Sequence, residues 1–544
     1  TSNVRIDERA LYEIYLPAFE AAVREGRVWS IMGSYNLWRG QHCCHNSYLL
    51  NDILKRDWAF DGVVVSDWGG CHDTQQAIDN GLDLEYGTTT DGLTSGTKNA
   101  YDNYYLADPY LTLLREGRAD VAQLDEKVRR ILRLIMRTSM NPKRVFGSFV
   151  SPEHLKTARE IGAASIVLLK NDRGLLPLKV EGRILVVGEN AIKPMTIGGG
   201  SSSLKVAREV SPLEGLRAAM PQTEIAYERG YVGDTNVTHN RYTMPVDLTD
   251  DRSADELIAA AVAAARTADC VIFIGGLNKS RGQDAESGDR KSFGLPYGQD
   301  RLIEALLEVV GDRLIVVNIS GNAVAMPWAG QVSTIVQSWY LGSEAGHSLA
   351  DVLTGAVAPS GKLPFTSPVA LEDGPVRTES QYPGIARGKG RKAIWDVDYS
   401  EGIFVGYRWF DKERITPIFP FGHGLGYTTF DYLSAHGGAA MSGDRYSFTV
   451  TVRNSGPVAG AEVVQVYVRD EEASVERPEK ELKAFRKVWL EPGESRTLRF
   501  TLSRRDLSFY DADAHAWRAE RGNFQVLIGS SSADIRRKIH FKLK

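Results

Sequence analysis

Cysteine is scarce in this sequence, net charge is slight, and no long apolar run occurs. Each absence removes a class of function. Four cysteines in 544 residues, two of them adjacent at Cys43 and Cys44, do not make a disulfide framework. They neither require nor exclude an oxidising compartment. A net charge of -4 with acids and bases interspersed gives no electrostatic footprint for nucleic acid or an anionic membrane surface. No apolar stretch reaches the roughly 18 to 20 residues that span a bilayer. The start, Thr1 to Ala10, lacks the basic-then-apolar pattern of a signal segment. What is present is ordinary globular composition, 43% hydrophobic and 25% charged, in a chain too long for a single core.

The most informative stretch is Gly62-Val63-Val64-Val65-Ser66-Asp67-Trp68-Gly69-Gly70. Three consecutive valines predict a strand buried on both faces, because β-branched side chains suit a pleat and nothing polar interrupts them. The run then breaks into loop chemistry. A carboxylate at the C-terminal tip of a buried parallel strand is where barrel enzymes keep catalytic groups. The plain alternative is that Asp67 caps the next helix, and position alone does not separate the two.

Strand and helix alternate up to about residue 140, which predicts an α/β unit with parallel strands. Leu11, Ile14, Tyr15, Phe19 and Val23 recur at helical spacing near the start, and Val121 to Met136 is the clearest later helix. About three strands fit in this region, whereas a complete eightfold barrel takes roughly 250 residues. The expectation for 1–140 is therefore the C-terminal part of a (β/α)8-type barrel. Residues 141–153, with two prolines, form a linker. Residues 154–368 alternate again and predict an α/β sandwich with a doubly wound sheet. Residues 369–425 look like a wrapping connection. From 426 to 544 the pattern changes to period two, as in a β-sandwich. The fold class is thus multidomain α/β plus all-β.

The second chemical candidate is the loop Gln283-Asp284-Ala285-Glu286-Ser287-Gly288-Asp289-Arg290. Alone it reads as a solvated charged loop. Paired with a strand-tip aspartate it gains meaning, since two carboxyls in different settings can serve as nucleophile and general acid in glycoside cleavage. The buried, hydrogen-bonded one stays ionised, while the one on a loop can keep a raised pKa and donate a proton to the leaving oxygen. Gly188 with the flexible loop Gly198-Gly199-Gly200 fails the dinucleotide-binding spacing. Asp67, His72 and Asp73 match no metal-ligand spacing. Tyr35, Trp38 and Trp68 are either core aromatics or a platform for a sugar's apolar ring face.

Further segments carry a resemblance. The Val-Val-Val-Ser-Asp-Trp run, Ser165 to Asn171 with Leu176-Pro177-Leu178, Glu286-x-x-Asp289-Arg290, Pro359 to Pro364, Glu401 to Tyr407 and Phe421 to Tyr427 resemble glycoside hydrolase family 3, of the β-glucosidase type. Ala459 to Tyr467 and Pro478 to Phe485 resemble the fibronectin-III-like domain of its multidomain members. The likeness runs in order along the whole chain.

The resemblance implies a barrel, an α/β sandwich and a fibronectin-III-like domain, with Asp67 as nucleophile and Glu286 as general acid/base. Trp68, Tyr35 and Met32 match positions lining the sugar pocket. The implied reaction is exo-acting β-glucoside hydrolysis with retention, needing no metal and no organic cofactor. A β-xylosidase or other exo-β-glycosidase is the alternative, as is a catalytically silent subunit. The partners implied are a β-glucoside or oligosaccharide, an N-terminal barrel fragment of the same enzyme carrying a Lys-His pair that maps to no residue here, and a homo-oligomer. The resemblance also implies a periplasmic or secreted location, and Asn236-Val237-Thr238 is a glycosylation acceptor if the source glycosylates.

Overall fold

Val63–Ser66 is a strand, with Val63 and Val64 wholly buried, and it pairs in parallel with Ser30–Gly33 in the register Ser30↔Val63 to Gly33↔Ser66. In this computed structural model residues 1–87, 104–179, 182–233, 247–286, 288–390 and 393–544 are described. The Asn236 acceptor and Ser287 lie outside them. The chain divides into two units, and each is taken by itself.

In the first unit the helix Tyr48–Asp57 connects the two parallel strands, and a parallel bridge from Val65 to Leu84 continues the series after the helix Thr74–Asp79. Leu82 to Glu85 contributes this single bridge. Leu50, Ile53, Leu54, Trp58, Phe60 and Val64 form the core beneath. Each such side chain stabilises by roughly 1.5–3 kcal/mol relative to exposure. The helix Val121–Arg137 sends Lys127 inward, where its ammonium donates to the carbonyls of Ala77, Ile78 and Leu82 at the end of Thr74–Asp79. Ala77 and Ile78 lie in the last turn of that helix, where carbonyls lack a partner within it, so the lysine closes its C-terminus and ties it to Leu82 just beyond.

Two stretches from far along the chain join this unit. Ile394–Asp398 pairs in parallel with a strand at the very start, Ser2–Arg5, inside a five-stranded sheet. Asp396 there accepts from Asn3 at 2.8 Å and from Arg5 at 2.7 Å, and these partners with Arg387 hold its carboxyl below the usual range. The sequence gives the first residues no strand pattern and the 369–425 stretch no sheet. The hairpin Phe509–Asp511 with Ala516–Arg518 also belongs here, Tyr510 stacking on Tyr12 at 3.8 Å.

The second unit is built on a six-stranded sheet in the order Val167–Asn171, Thr334–Ser338, Leu314–Ile319, Cys270–Gly276, Arg183–Val187, Glu224–Glu228. All neighbours are parallel except the first pair. Alternate residues go to opposite faces: Leu185, Val187, Val271 and Phe273 to one core, Ile184, Val186, Ile272 and Ile274 to the other. This is a doubly wound sheet. Capping boxes at Ser211–Glu214 and Ser253–Glu256 fix the starts of Pro212–Ala219 and Ala254–Ala265. A three-stranded and a four-stranded antiparallel sheet follow, closing on Phe448, Val450, Val466 and Phe524 as a β-sandwich. Among the described residues no helix is long and apolar enough to cross a membrane.

Candidate active site

Asp67 stands at the C-terminal tip of Val63–Ser66, half-buried. Its carboxylate accepts from the Trp68 amide at 2.7 Å, and its carbonyl accepts from Gly70 N at 2.9 Å. Helix capping is not its task, because Asp73 accepts from Gln76 N at 2.8 Å and caps Thr74–Asp79. The loop is tied on both flanks. Tyr86 N donates to Ser66 Oγ at 2.8 Å, Gly69 N to Tyr86 O at 3.1 Å, and Tyr35 OH to Trp68 O at 2.9 Å.

The Trp68 ring is 73% exposed and lies over Tyr86 at 6.3 Å, nearly parallel. Tyr35 is 47% exposed. Asp67, Trp68 and Tyr35 are thus brought together, an acid beside aromatic faces. Trp38 is a core aromatic, buried against Tyr48. Met32, at 57% exposure, pairs in register with Val65 but opens onto an apolar cleft of about 290 Å³ with Tyr15, Phe19 and Ile31, which Asp67 does not line.

Glu286 lies in the second unit, on the loop after Cys270–Gly276. Sequence alone makes this loop look solvated, yet it is firmly anchored. Two residues before Glu286, the Asp284 carboxylate accepts from Tyr340 OH and Gly321 N, both at 2.7 Å, and from Asn322 Nδ2 at 3.2 Å. Burial, with the Asp284 charge, pushes the Tyr340 phenol far up, so it remains a donor. Four residues after Glu286, Arg290 donates to Asn322 Oδ1 at 2.6 Å and to Ala323 O at 3.0 Å.

The exposed Glu286 carboxylate itself meets the loop Gly198–Ser203. Ser201 N donates to it at 2.8 Å, and Ser201 Oγ is a second donor. Glycine is required at 200: its φ is +89°, and a Cβ would sit 2.3 Å from Glu286 Oε2. The triple glycine gives the carboxylate a seat rather than a nucleotide site. Sequence reasoning gave Asp284 no role of its own and missed Ser201, Tyr340 and the turn Cys43–His45 behind the Asp67 loop. Of these only the Gly-Gly-Gly-Ser run carried a signal.

A strand-tip carboxylate among aromatics, a second carboxylate on an anchored loop of a doubly wound sheet, and a terminal β-sandwich are the elements expected of a multidomain glycoside hydrolase. Family models agree with that class. The N-terminal domain of glycosyl hydrolase family 3 matches residues 1–134, its C-terminal domain 166–427, and a fibronectin type III-like domain 462–532. The chain belongs to glycosyl hydrolase family 3. It is 48% identical to β-glucosidase BoGH3A of Bacteroides ovatus over 99% of its own length and 72% of that protein. It is 34% identical to an exo-α-(1→6)-L-arabinopyranosidase of Bifidobacterium breve, covering 98% of this chain and 66% of that one. The solved structure of a Bifidobacterium adolescentis β-glucosidase of the same family superposes with a TM-score of 0.86 at 34% identity, over all of this chain and 73% of that one. These relatives hold the matching region within one longer chain, so a separate N-terminal fragment as partner, expected from the sequence, is not supported; a glycoside substrate is what the family implies.

Proposed function

We propose that Asp67 and Glu286 are the catalytic pair of a retaining, exo-acting β-glucosidase that removes terminal non-reducing β-D-glucosyl residues. The Asp67 carboxylate attacks the anomeric carbon from the face opposite the leaving group while the Glu286 carboxylic acid protonates the departing oxygen. A glucosyl ester on Asp67 forms and the aglycone leaves as an alcohol. Glu286, now a carboxylate, takes a proton from water, the resulting oxygen attacks the anomeric carbon, and Asp67 leaves as the free carboxylate. The observation that carries the assignment is Asp67 itself, a carboxylate relieved of capping duty, fixed by the Trp68 amide and flanked by an exposed indole. Ser201, with two donors to one carboxylate, suits the charged form that Glu286 needs for its base step.

The glucose specificity draws on the B. ovatus and B. adolescentis relatives, which are named β-glucosidases. A relative named an exo-arabinopyranosidase supports a second reading, in which the terminal sugar is a pentopyranose lacking the C6 group. Comparing kcat/KM on aryl β-glucoside, β-xyloside and α-L-arabinopyranoside decides between them. The proposal expects the glucoside to lead, and a pentoside leading by tenfold or more would replace it.

A further inference from the structure

We propose that His45 is a positioning residue for the nucleophile loop, acting as a neutral imidazole in a single tautomer. This rests on the assignment of Asp67 as nucleophile. The loop 67–73 joins the strand Val63–Ser66 to the helix Thr74–Asp79, and the turn Cys43–His45 supports it from behind. Cys44 packs so closely that a Cβ on Gly70 would lie 2.7 Å from its Sγ. His45, only 1% exposed, bonds the loop and the helix at once. Its Nε2 lies 3.3 Å from the amide nitrogen of His72, and its Nδ1 lies 3.1 Å from Gln76 Oε1. Asn80 Nδ2 donates to the His45 carbonyl at 3.0 Å.

These partners dictate where the proton sits. A backbone amide can only donate, so Nε2 must accept. Gln76 Oε1 takes a bond from Gln41 Nε2 at 3.1 Å and is an acceptor, so Nδ1 carries the hydrogen. A second proton would go on Nε2, where it would face the His72 N–H and break the tie. The loop bearing Asp67 would then lose its support.

The titratable groups around His45 are His42, His72 and Asp73, and the same turn and loop also carry the thiols of Cys44 and Cys71. His42 stacks on His72 at 3.8 Å, and the two rings lie 5.5 and 6.4 Å from His45, so a charge on either opposes a charge on His45. Asp73 pulls the other way but is occupied as the helix cap. Burial holds the Cys44 thiol up at about 11 and Cys71 higher still, so neither supplies a charge near neutrality. Burial also holds His45 below the ordinary imidazole value, against weaker pulls from Gln76 and Asp73. The sign follows: the unfolded chain takes up this proton first, so the stability tied to neutral His45 is present above about pH 6.5 and is lost as pH falls below it. A limb of falling activity on the acid side is the consequence.

The test compares His45→Ala, His45→Gln and Asp67→Asn in the full chain, with kcat and KM measured from pH 4 to 8 and folding checked by circular dichroism. Glutamine offers an oxygen in place of Nε2 and does not titrate. His45→Ala is expected to lose on the order of 10–100-fold in kcat at neutral pH with KM little moved, as fits a nucleophile displaced by a fraction of an ångström to one ångström. His45→Gln is expected to restore most of that loss and to extend activity to lower pH. A His45→Gln enzyme with the wild-type acid limb, or a folded His45→Ala enzyme with wild-type kcat, overturns the inference. If the alanine variant does not fold, the glutamine pH profile decides alone. Turnover surviving in Asp67→Asn instead overturns the nucleophile assignment, whatever the His45 variants do.

Discussion

At the residue scale, the proposed chemistry rests on Asp67 and Glu286, and their neighbours set how well they would serve it. Asp67→Asn keeps the Trp68 amide bond to a side-chain oxygen but removes the nucleophilic charge. A loss of at least ~10³-fold in kcat with an unchanged melting temperature is expected from steady-state kinetics and calorimetry. Glu286→Gln should harm substrates with poor leaving groups far more than activated aryl glucosides, which need little protonation. Equal losses on both would remove the acid role. Gly200→Ala tests the seat of that carboxylate. A Cβ only 2.3 Å from Glu286 Oε2, on a residue at φ +89°, must push the acid aside or unwind the loop. The expected result is a drop in kcat of ~10-fold or more, with destabilisation of about 1–2 kcal/mol from the backbone strain. Asp67 and Glu286 stood out in the sequence as candidates, one ending a valine run and the other in a Gly-containing polar loop. The anchors of the second loop did not stand out, because Ser201 lies 85 residues from Glu286 and Tyr340 lies 56 from Asp284.

At the element scale, the strand Val63–Ser66 was readable because β-branched repetition has few other interpretations. The strand Ser2–Arg5 was not. Four residues without alternation become a strand between two partners, Leu37–Trp38 on one side and Ile394–Asp398, some 390 positions later, on the other. The turn Cys43–His45 gave no warning either, since three buried residues in one tight turn have no period to detect. The helix Thr74–Asp79 depends on a side chain from elsewhere at its C-terminal end. Replacing Lys127 with methionine keeps the stem but leaves three carbonyls without their donor. Chemical denaturation should show a loss of about 1–3 kcal/mol, and a variant as stable as the wild type would mean that those carbonyls find other partners.

At the scale of the whole molecule, the division of labour repeats a simple physical theme. Parallel strands bury their length and expose their C-terminal tips, so each unit offers loops where polar chemistry is affordable. One unit presents Asp67 at such a tip and the other presents Glu286 on the loop beyond one. The β-sandwich closes on its own core of Phe448, Val466 and Phe524. The class of fold was legible from the change of period along the chain. The contribution of residues 375–403 and 509–518 to the first unit was not, because no local pattern announces a partner hundreds of residues away.

The claim that Asp67 becomes glycosylated during turnover is open to one direct measurement. The enzyme is incubated with a 2-deoxy-2-fluoro-glucoside bearing a good leaving group, which slows hydrolysis of the covalent intermediate, and is then digested and sequenced by mass spectrometry. A fluoroglucosyl adduct on Asp67 is the predicted result. An adduct on any other residue, or stoichiometric leaving-group release with Asp67 unmodified, would contradict it.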